Sequence, residues 1–168
     1  MKQKQSIILF IGGVAALVLA IILLSRPDGS SVSADIPKDQ FDSAQFAVAE
    51  PFRSLGSLSM AAGPATFSFE LKNETDTPLR IDRITTSCMC TEATLEYDNR
   101  SFGPFGMPGH GFSPRISETI PSGESATVKV TFDPAAHGPS GVGPIQRDVF
   151  VESGDTVTTL GFSATVTP

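Results

Sequence analysis

The feature that most limits the fold is a hydrophobic alternation of period two that recurs through the chain after its first 40 residues. Phe67, Phe69 and Leu71 alternate with Ser68, Glu70 and Lys72. Val128, Val130 and Phe132 alternate with Lys129 and Thr131, and Leu160, Phe162, Ala164 and Val166 alternate with Gly161, Ser163 and Thr165. Successive side chains of a strand point to opposite faces. Each run therefore places its apolar members on one face of a sheet whose other face meets water. A helix would need a period of 3.6, and none of these runs has it.

Turn signals punctuate the alternation: Asn73 to Pro78, Pro121-Ser122-Gly123-Glu124, Asp133-Pro134 and Ser153-Gly154-Asp155. Between them the pattern predicts strands near 46–60 (with a break at Pro51), 65–72, 79–86, 91–97, 115–120, 125–132, 145–152 and 156–166. The expected fold is all-β, an antiparallel sandwich of about 7–8 strands. There is no Trp, so the 12 phenylalanines must supply the bulk of the core. Two cysteines are too few to staple a small scaffold, so that core has to hold the fold.

The N-terminus has a different character. Residues 1–5 carry Lys2 and Lys4, and residues 6–24 follow without a charge and almost without a polar group. That length suits a bilayer-crossing helix of roughly 20 residues. The run continues through Ile21-Ile22-Leu23-Leu24 with no small-residue cleavage pattern at once behind it, which favours an uncleaved anchor over a signal peptide. No cysteine follows to carry a lipid. The expected organisation is a cytoplasmic stub over 1–5, a single transmembrane helix over 6–24, a flexible linker over 25–40 and a sandwich domain over 41–168. The lysines before the span place the N-terminus in the cytoplasm and the domain outside it, in the periplasm or beyond the cell. Beyond Arg26, nine basic residues face 18 acidic ones, a net charge of −9. Such a surface repels nucleic acid, which is excluded as a partner.

Two segments interrupt the alternation. Residues 98–114 (DNRSFGPFGMPGHGFSP) mix four glycines and three prolines with Phe102, Phe105 and Phe112. This composition suits neither a helix nor a central strand and predicts a long loop, whose phenylalanines are candidates for a partner-binding surface. Residues 134–144 have the same character and contain His137.

In their order, Phe67 to Asn73 (FSFELKN), Pro78-Leu79-Arg80-Ile81, Thr86 to Thr91 (TSCMCT), Ile120 to Glu124 (IPSGE) and Val130 to Pro134 (VTFDP) resemble the bacterial domain of unknown function 1573 (DUF1573) family. These are exported immunoglobulin-like sandwiches related to major-sperm-protein-type domains. The resemblance covers roughly 46–167 and implies an immunoglobulin-like fold and an exported location, but no established activity. The chain departs from the family pattern at Met89, where glycine is usual between the cysteines, and in the longer stretch that contains the Gly/Pro/Phe segment.

Candidate chemistry gathers around Cys88-Met89-Cys90. In an extended strand the two thiols would project from one face with α-carbons about 7 Å apart, which is too far for a bridge without a local turn. Three readings stay open: an inert or bridged pair, a soft-metal site, or a thiol-redox pair. The turn-forming Met107-Pro108-Gly109-His110 offers a thioether and an imidazole. Cys88, Cys90, His110, Met107, Met89 and His137 together make a donor set suited to Cu(I), with Zn(II) acceptable to Cys and His. They meet only if both long loops fold over the same end of the sandwich. No G-x-S-x-G is present, each histidine is flanked by glycine, and no catalytic residue is expected. The sequons Asn73-Glu74-Thr75 and Asn99-Arg100-Ser101 would matter only in a eukaryotic secretory pathway.

Overall fold

Strong alternation produces long strands wherever turn residues allow, and two sheets collect them. The computed structural model describes residues 46–110 and 114–168, all within one compact unit, Lys38–Pro168. The transmembrane helix expected over 6–24, the linker and Phe112 lie outside the described residues. Among the described residues no helix is long and apolar enough to cross a membrane.

Eleven strands follow in order: β1 (Phe46–Ala47), β2 (Phe52–Ser59), β3 (Ala65–Asn73), β4 (Leu79–Ile81), β5 (Arg83–Thr86), β6 (Thr91–Tyr97), β7 (Arg100–Phe105), β8 (Glu118–Ile120), β9 (Ser125–Phe132), β10 (Gly143–Ser153) and β11 (Thr156–Thr167). One sheet has the order β1-β3-β9-β6-β7, a second β2-β11-β10-β5, and β4 pairs with β8 in a short ribbon. The strand count exceeds the expected 7–8 because two expected strands divide and one new strand appears. Pro51 separates β1 from β2, as its missing donor requires. Asp82 separates β4 from β5, and its amide leaves the ladder to reach the Glu152 carbonyl at 2.9 Å.

The new strand is β7, a correction to the loop expected over 98–114. Asp98 and Asn99 both adopt positive φ (48° and 58°), the two-residue hairpin conformation that suits Asp and Asn, and they turn β6 back on itself as β7. β7 is an edge strand, where Pro104 can do without a backbone donor. Gly103, at φ 128°, leaves no space for a side chain, since a Cβ would stand 2.9 Å from the Ala93 carbonyl oxygen. A second correction concerns direction. Pairing is antiparallel except between β2 and β11, which run parallel.

The core lies between the sheets. Phe69, Leu71, Val128 and Val130 face Leu160, Phe162, Val149 and Val151, all essentially buried. Phe162 of the second sheet meets Phe67 and Phe132 of the first edge-to-face, with ring centroids 5.0 Å and 5.4 Å apart. Each such buried side chain contributes roughly 1.5–3 kcal/mol of transfer free energy. The alternating residues read from the sequence are the residues that fill this core.

Candidate metal site

The site begins where β5 hands over to β6. Thr86 ends one strand and Thr91 opens the next, so both cysteines fall in a connection of four residues. The Thr91 amide donates to the Cys88 carbonyl at 3.1 Å and closes a turn. The buried Thr86 hydroxyl is shared between the carbonyls of Cys88 and Thr91, 3.0 Å from each. This turn draws the α-carbons of Cys88 and Cys90 to 5.2 Å, and the two sulfurs are joined in a disulfide. The extended geometry considered from the sequence is thus replaced by the local turn that a bridge requires. Both cysteines are buried, whereas Met89 between them is 54% exposed at the turn's tip.

The loop after β9 brings a third donor. The Asp133 amide donates to the Cys90 carbonyl at 2.9 Å and ties the start of this loop to the cysteine turn. The Asp133 carboxylate accepts from the Ala135 amide at 2.8 Å, and the Gly138 amide donates to the Ala135 carbonyl at 2.9 Å. A short 3-10 turn over Gly138–Gly141 follows, with the Ser140 hydroxyl on the His137 carbonyl at 2.7 Å. The result places His137 Nε2 3.2 Å from Cys88 Sγ. Gly141 takes part in this placement, because a Cβ there would stand 3.0 Å from the His137 Cβ.

The segment after β7 supplies the rest. The Thr86 amide donates to the Gly106 carbonyl at 3.2 Å, which anchors this segment beside the cysteine turn. Met107 to His110 then form the turn expected from their composition. Gly109 at its third position has φ 82°, as a type II turn demands, and the His110 amide donates to the Met107 carbonyl at 3.1 Å.

The three segments meet around an open groove of about 540 Å³ lined by Cys88, Met89, Met107, His110 and His137, with Arg147 and Asp148 of β10 completing it. Both long segments therefore converge on one end of the sandwich. Cys88, Cys90 and His137 present ligand atoms within 4.8 Å of one another. Donors that share one ion at about 2.0–2.3 Å stand within roughly 4.6 Å of each other, so the trio meets that limit closely only once the Cys88–Cys90 bridge is reduced and its sulfurs separate. His110 borders the groove outside that trio.

Burial pushes the Asp148 carboxyl above its ordinary pKa, and the neighbouring Arg147 guanidinium pulls against this. Arg147 Nη1 donates to the Gln146 carbonyl at 2.6 Å, while its buried Nε has no hydrogen-bond partner. The groove offers sulfur and imidazole, not a nest of carboxylates, which is the environment of a soft cation.

The phenylalanines proposed as a partner surface are placed differently. Phe105 is 1% exposed and belongs to the core. Phe102 is half-buried against that core, with the Arg100 guanidinium 4.6 Å above its ring. Both rings are occupied by intramolecular packing, which follows from the strand that replaced the expected loop. Sequence reasoning misses Thr86 and Gly141 as residues that shape the site. Thr86 could have been found as a hydroxyl residue just before the Cys-x-Cys, whereas nothing in the sequence marks Gly141.

Comparison with known proteins adds the following. Residues 48–104 match the family model described as "Protein of unknown function (DUF1573)". A protein of unknown function from Porphyromonas gingivalis W83 is 16% identical, with 71% of this chain and 46% of that one covered and a TM-score of 0.53. At that identity the likeness concerns the fold alone. The VesB protease of Vibrio cholerae is also 16% identical, over 74% of this chain and 32% of its own, with a TM-score of 0.45. The human ASH/PapD-like domain 7 of CEP192 is 14% identical, over 74% of this chain and 87% of its own, with a TM-score of 0.43. The chain thus spans less than half the length of the first two of these structures. No curated protein matches its sequence.

Proposed function

Since the chain belongs to the DUF1573 family through residues 48–104, a family without an assigned activity, we propose its function from the site: a non-catalytic binding module that holds a soft metal ion, Cu(I) before Zn(II). The observation that carries this reading is the convergence of Cys88, Cys90 and His137 within 4.8 Å, although His137 comes from a distant loop. Two thiolates and an imidazole suit Cu(I), and the thioethers of Met107 and Met89 on the same groove add to that preference. Zn(II) would take the same three ligands with a fourth position left for water. The metal-binding form is the dithiol, because a ligating cysteine must be a thiolate. The apolar, uncharged run over 6–24 supports a membrane tether with the sandwich outside the cytoplasm.

Metal analysis of the full chain, reduced and purified without chelator, tests this reading. About one equivalent of copper, lost in a Cys88→Ser/Cys90→Ser double variant, is the expected result. Reduced protein that neither carries copper nor takes up Cu(I) overturns it.

A further inference from the structure

The disulfide and the metal site use the same two sulfurs. We propose that Cys88 and Cys90 are a reversible two-electron couple that exchanges with an external dithiol, and that the bridge and a soft metal ion are alternative occupants of one preformed turn. The second half of this proposal rests on the metal reading above; the exchange half does not.

Apart from the Cys90 amide, which donates to Cys88 Sγ at 3.3 Å, the contacts that hold the turn do not involve sulfur. Thr91 N reaches the Cys88 carbonyl, the Thr86 hydroxyl spans Cys88 O and Thr91 O, and Asp133 N holds the Cys90 carbonyl. On the other side Ser87 N donates to the Asp148 carbonyl, while the Asp148 amide donates to Ser87 Oγ, both at 2.9 Å. Breaking the S–S bond leaves all of these in place. The sulfurs need only separate to the roughly 3.5–4 Å that two thiolates keep on one ion, and His137 already stands 3.2 Å from Cys88 Sγ. Opening the bridge therefore completes a donor set without refolding the loop that carries it.

The two sulfurs are also unequal. Both cysteines are buried, at 7% and 3% exposure, but Cys88 lines the open groove, whereas Cys90 does not and has Thr91 Oγ1 3.7 Å from its sulfur. Attack comes from the groove side. A thiolate of the partner forms a bond to Cys88 Sγ, the Cys88–Cys90 bond breaks, and Cys90 leaves with the electron pair. The partner's second thiol then attacks its own mixed-disulfide sulfur, forming the partner's disulfide and releasing Cys88. The partner loses two electrons and the couple gains two, while the partner's two thiol protons pass to the released cysteines or to solvent. Cu(I) then binds the dithiol with release of those protons.

The test uses the full chain in three states: as oxidised, after anaerobic reduction with dithiothreitol, and reduced then loaded with Cu(I). Free thiols, copper content in competition with a Cu(I) chelator, and the melting profile are read in each. The expected result is no free thiol and under a tenth of an equivalent of copper in the oxidised chain. The reduced chain shows two thiols, about one copper and a retained cooperative melt, and loading slows reoxidation at least tenfold. In a Cys90→Ser chain, the mixed disulfide with glutathione should form at Cys88 at least tenfold faster than at Cys90 in a Cys88→Ser chain. A bridge that opens only when the domain unfolds overturns the exchange half. Equal copper uptake by oxidised and reduced chains overturns the alternation. Thiols that cycle in a folded chain without any Cu(I) uptake support the exchange and overturn the metal reading.

Discussion

Cys88 Sγ and His137 Nε2 lie 3.2 Å apart across 49 residues of sequence. β6, β7 and β9 are paired within one sheet, and the Asp133 amide fastens the end of that course to Cys90. His137 itself is exposed, so its placement is set by the loop's own hydrogen bonds and not by burial.

This relationship makes His137 separable from the fold. His137→Ala should lower Cu(I) affinity of the reduced chain at least about tenfold while shifting stability by under roughly 0.5 kcal/mol, as for an exposed surface residue. Gly141→Ala provides a second approach to the same atom, because its Cβ would press on His137 from 3.0 Å. It should weaken Cu(I) binding in the same direction with both cysteines and His137 intact. Chelator competition and urea unfolding on the two variants check this. Unchanged affinity in both would remove the imidazole from the ligand set.

How far the sequence foretold this arrangement differs between scaffold and site. Period-two alternation identified the faces of β3, β9 and β11, because burial of one face is the strongest constraint on a strand. Met107 to His110 were legible as a turn, since Pro and Gly stand at the two positions where a type II turn wants them. β7 was missed because Gly103, Pro104 and Gly106 dominate its composition. The hairpin signal Asp98-Asn99, which needs positive φ at both residues, was outweighed by them. The parallel pairing of β2 with β11 left no local mark, because a strand's own pattern fixes its face and not its neighbour's direction. The meeting of His137 with Cys88 was legible only as a condition, since it depends on where a ten-residue connection between β9 and β10 comes to rest.

Asn73 holds a second set of loops together. It is fully buried, and its Nδ2 donates to the carbonyls of Thr77 and Ile120, both at 2.9 Å. Its Oδ1 accepts from Thr75 N at 3.0 Å and Thr75 Oγ1 at 2.7 Å. Asn73→Ala strands these partners together and should cost roughly 2–4 kcal/mol, read from chemical denaturation. The burial also means that the Asn73 sequon cannot accept a glycan in the folded domain. A loss below about 0.5 kcal/mol would show that water replaces the amide and that this hub is dispensable.

Tyr97 is the only tyrosine, so its titration can be followed by absorbance without interference. Its hydroxyl donates to the Glu124 carboxylate, and that bond raises its pKa to about 12. Ionising the phenol removes the donor and sets two negative charges side by side. The stability this contact lends is therefore fully present below the unfolded pKa of about 10 and is lost as pH rises through 12. Glu124→Gln should bring the midpoint down towards 10. A native midpoint already near 10 would mean that the contact does not persist in solution.

Thr86→Val gives the sharpest separation of turn from ligands, because valine matches the shape of threonine and removes only the hydroxyl. The Thr86 side chain is 1% exposed and is shared between Cys88 O and Thr91 O. Without it the Cys88 carbonyl still accepts from Thr91 N, but the Thr86 hydroxyl contact that spans the turn is gone. The loss should be about 1–3 kcal/mol of stability, typical of a buried hydrogen bond whose acceptors stay behind. If the turn preforms the site, Thr86→Val should also reduce Cu(I) affinity of the dithiol state, with Cys88, Cys90 and His137 all present. Paired unfolding and chelator-competition measurements decide the matter. A full stability loss with unchanged copper affinity would show that the metal, and not the turn, gathers the three donors.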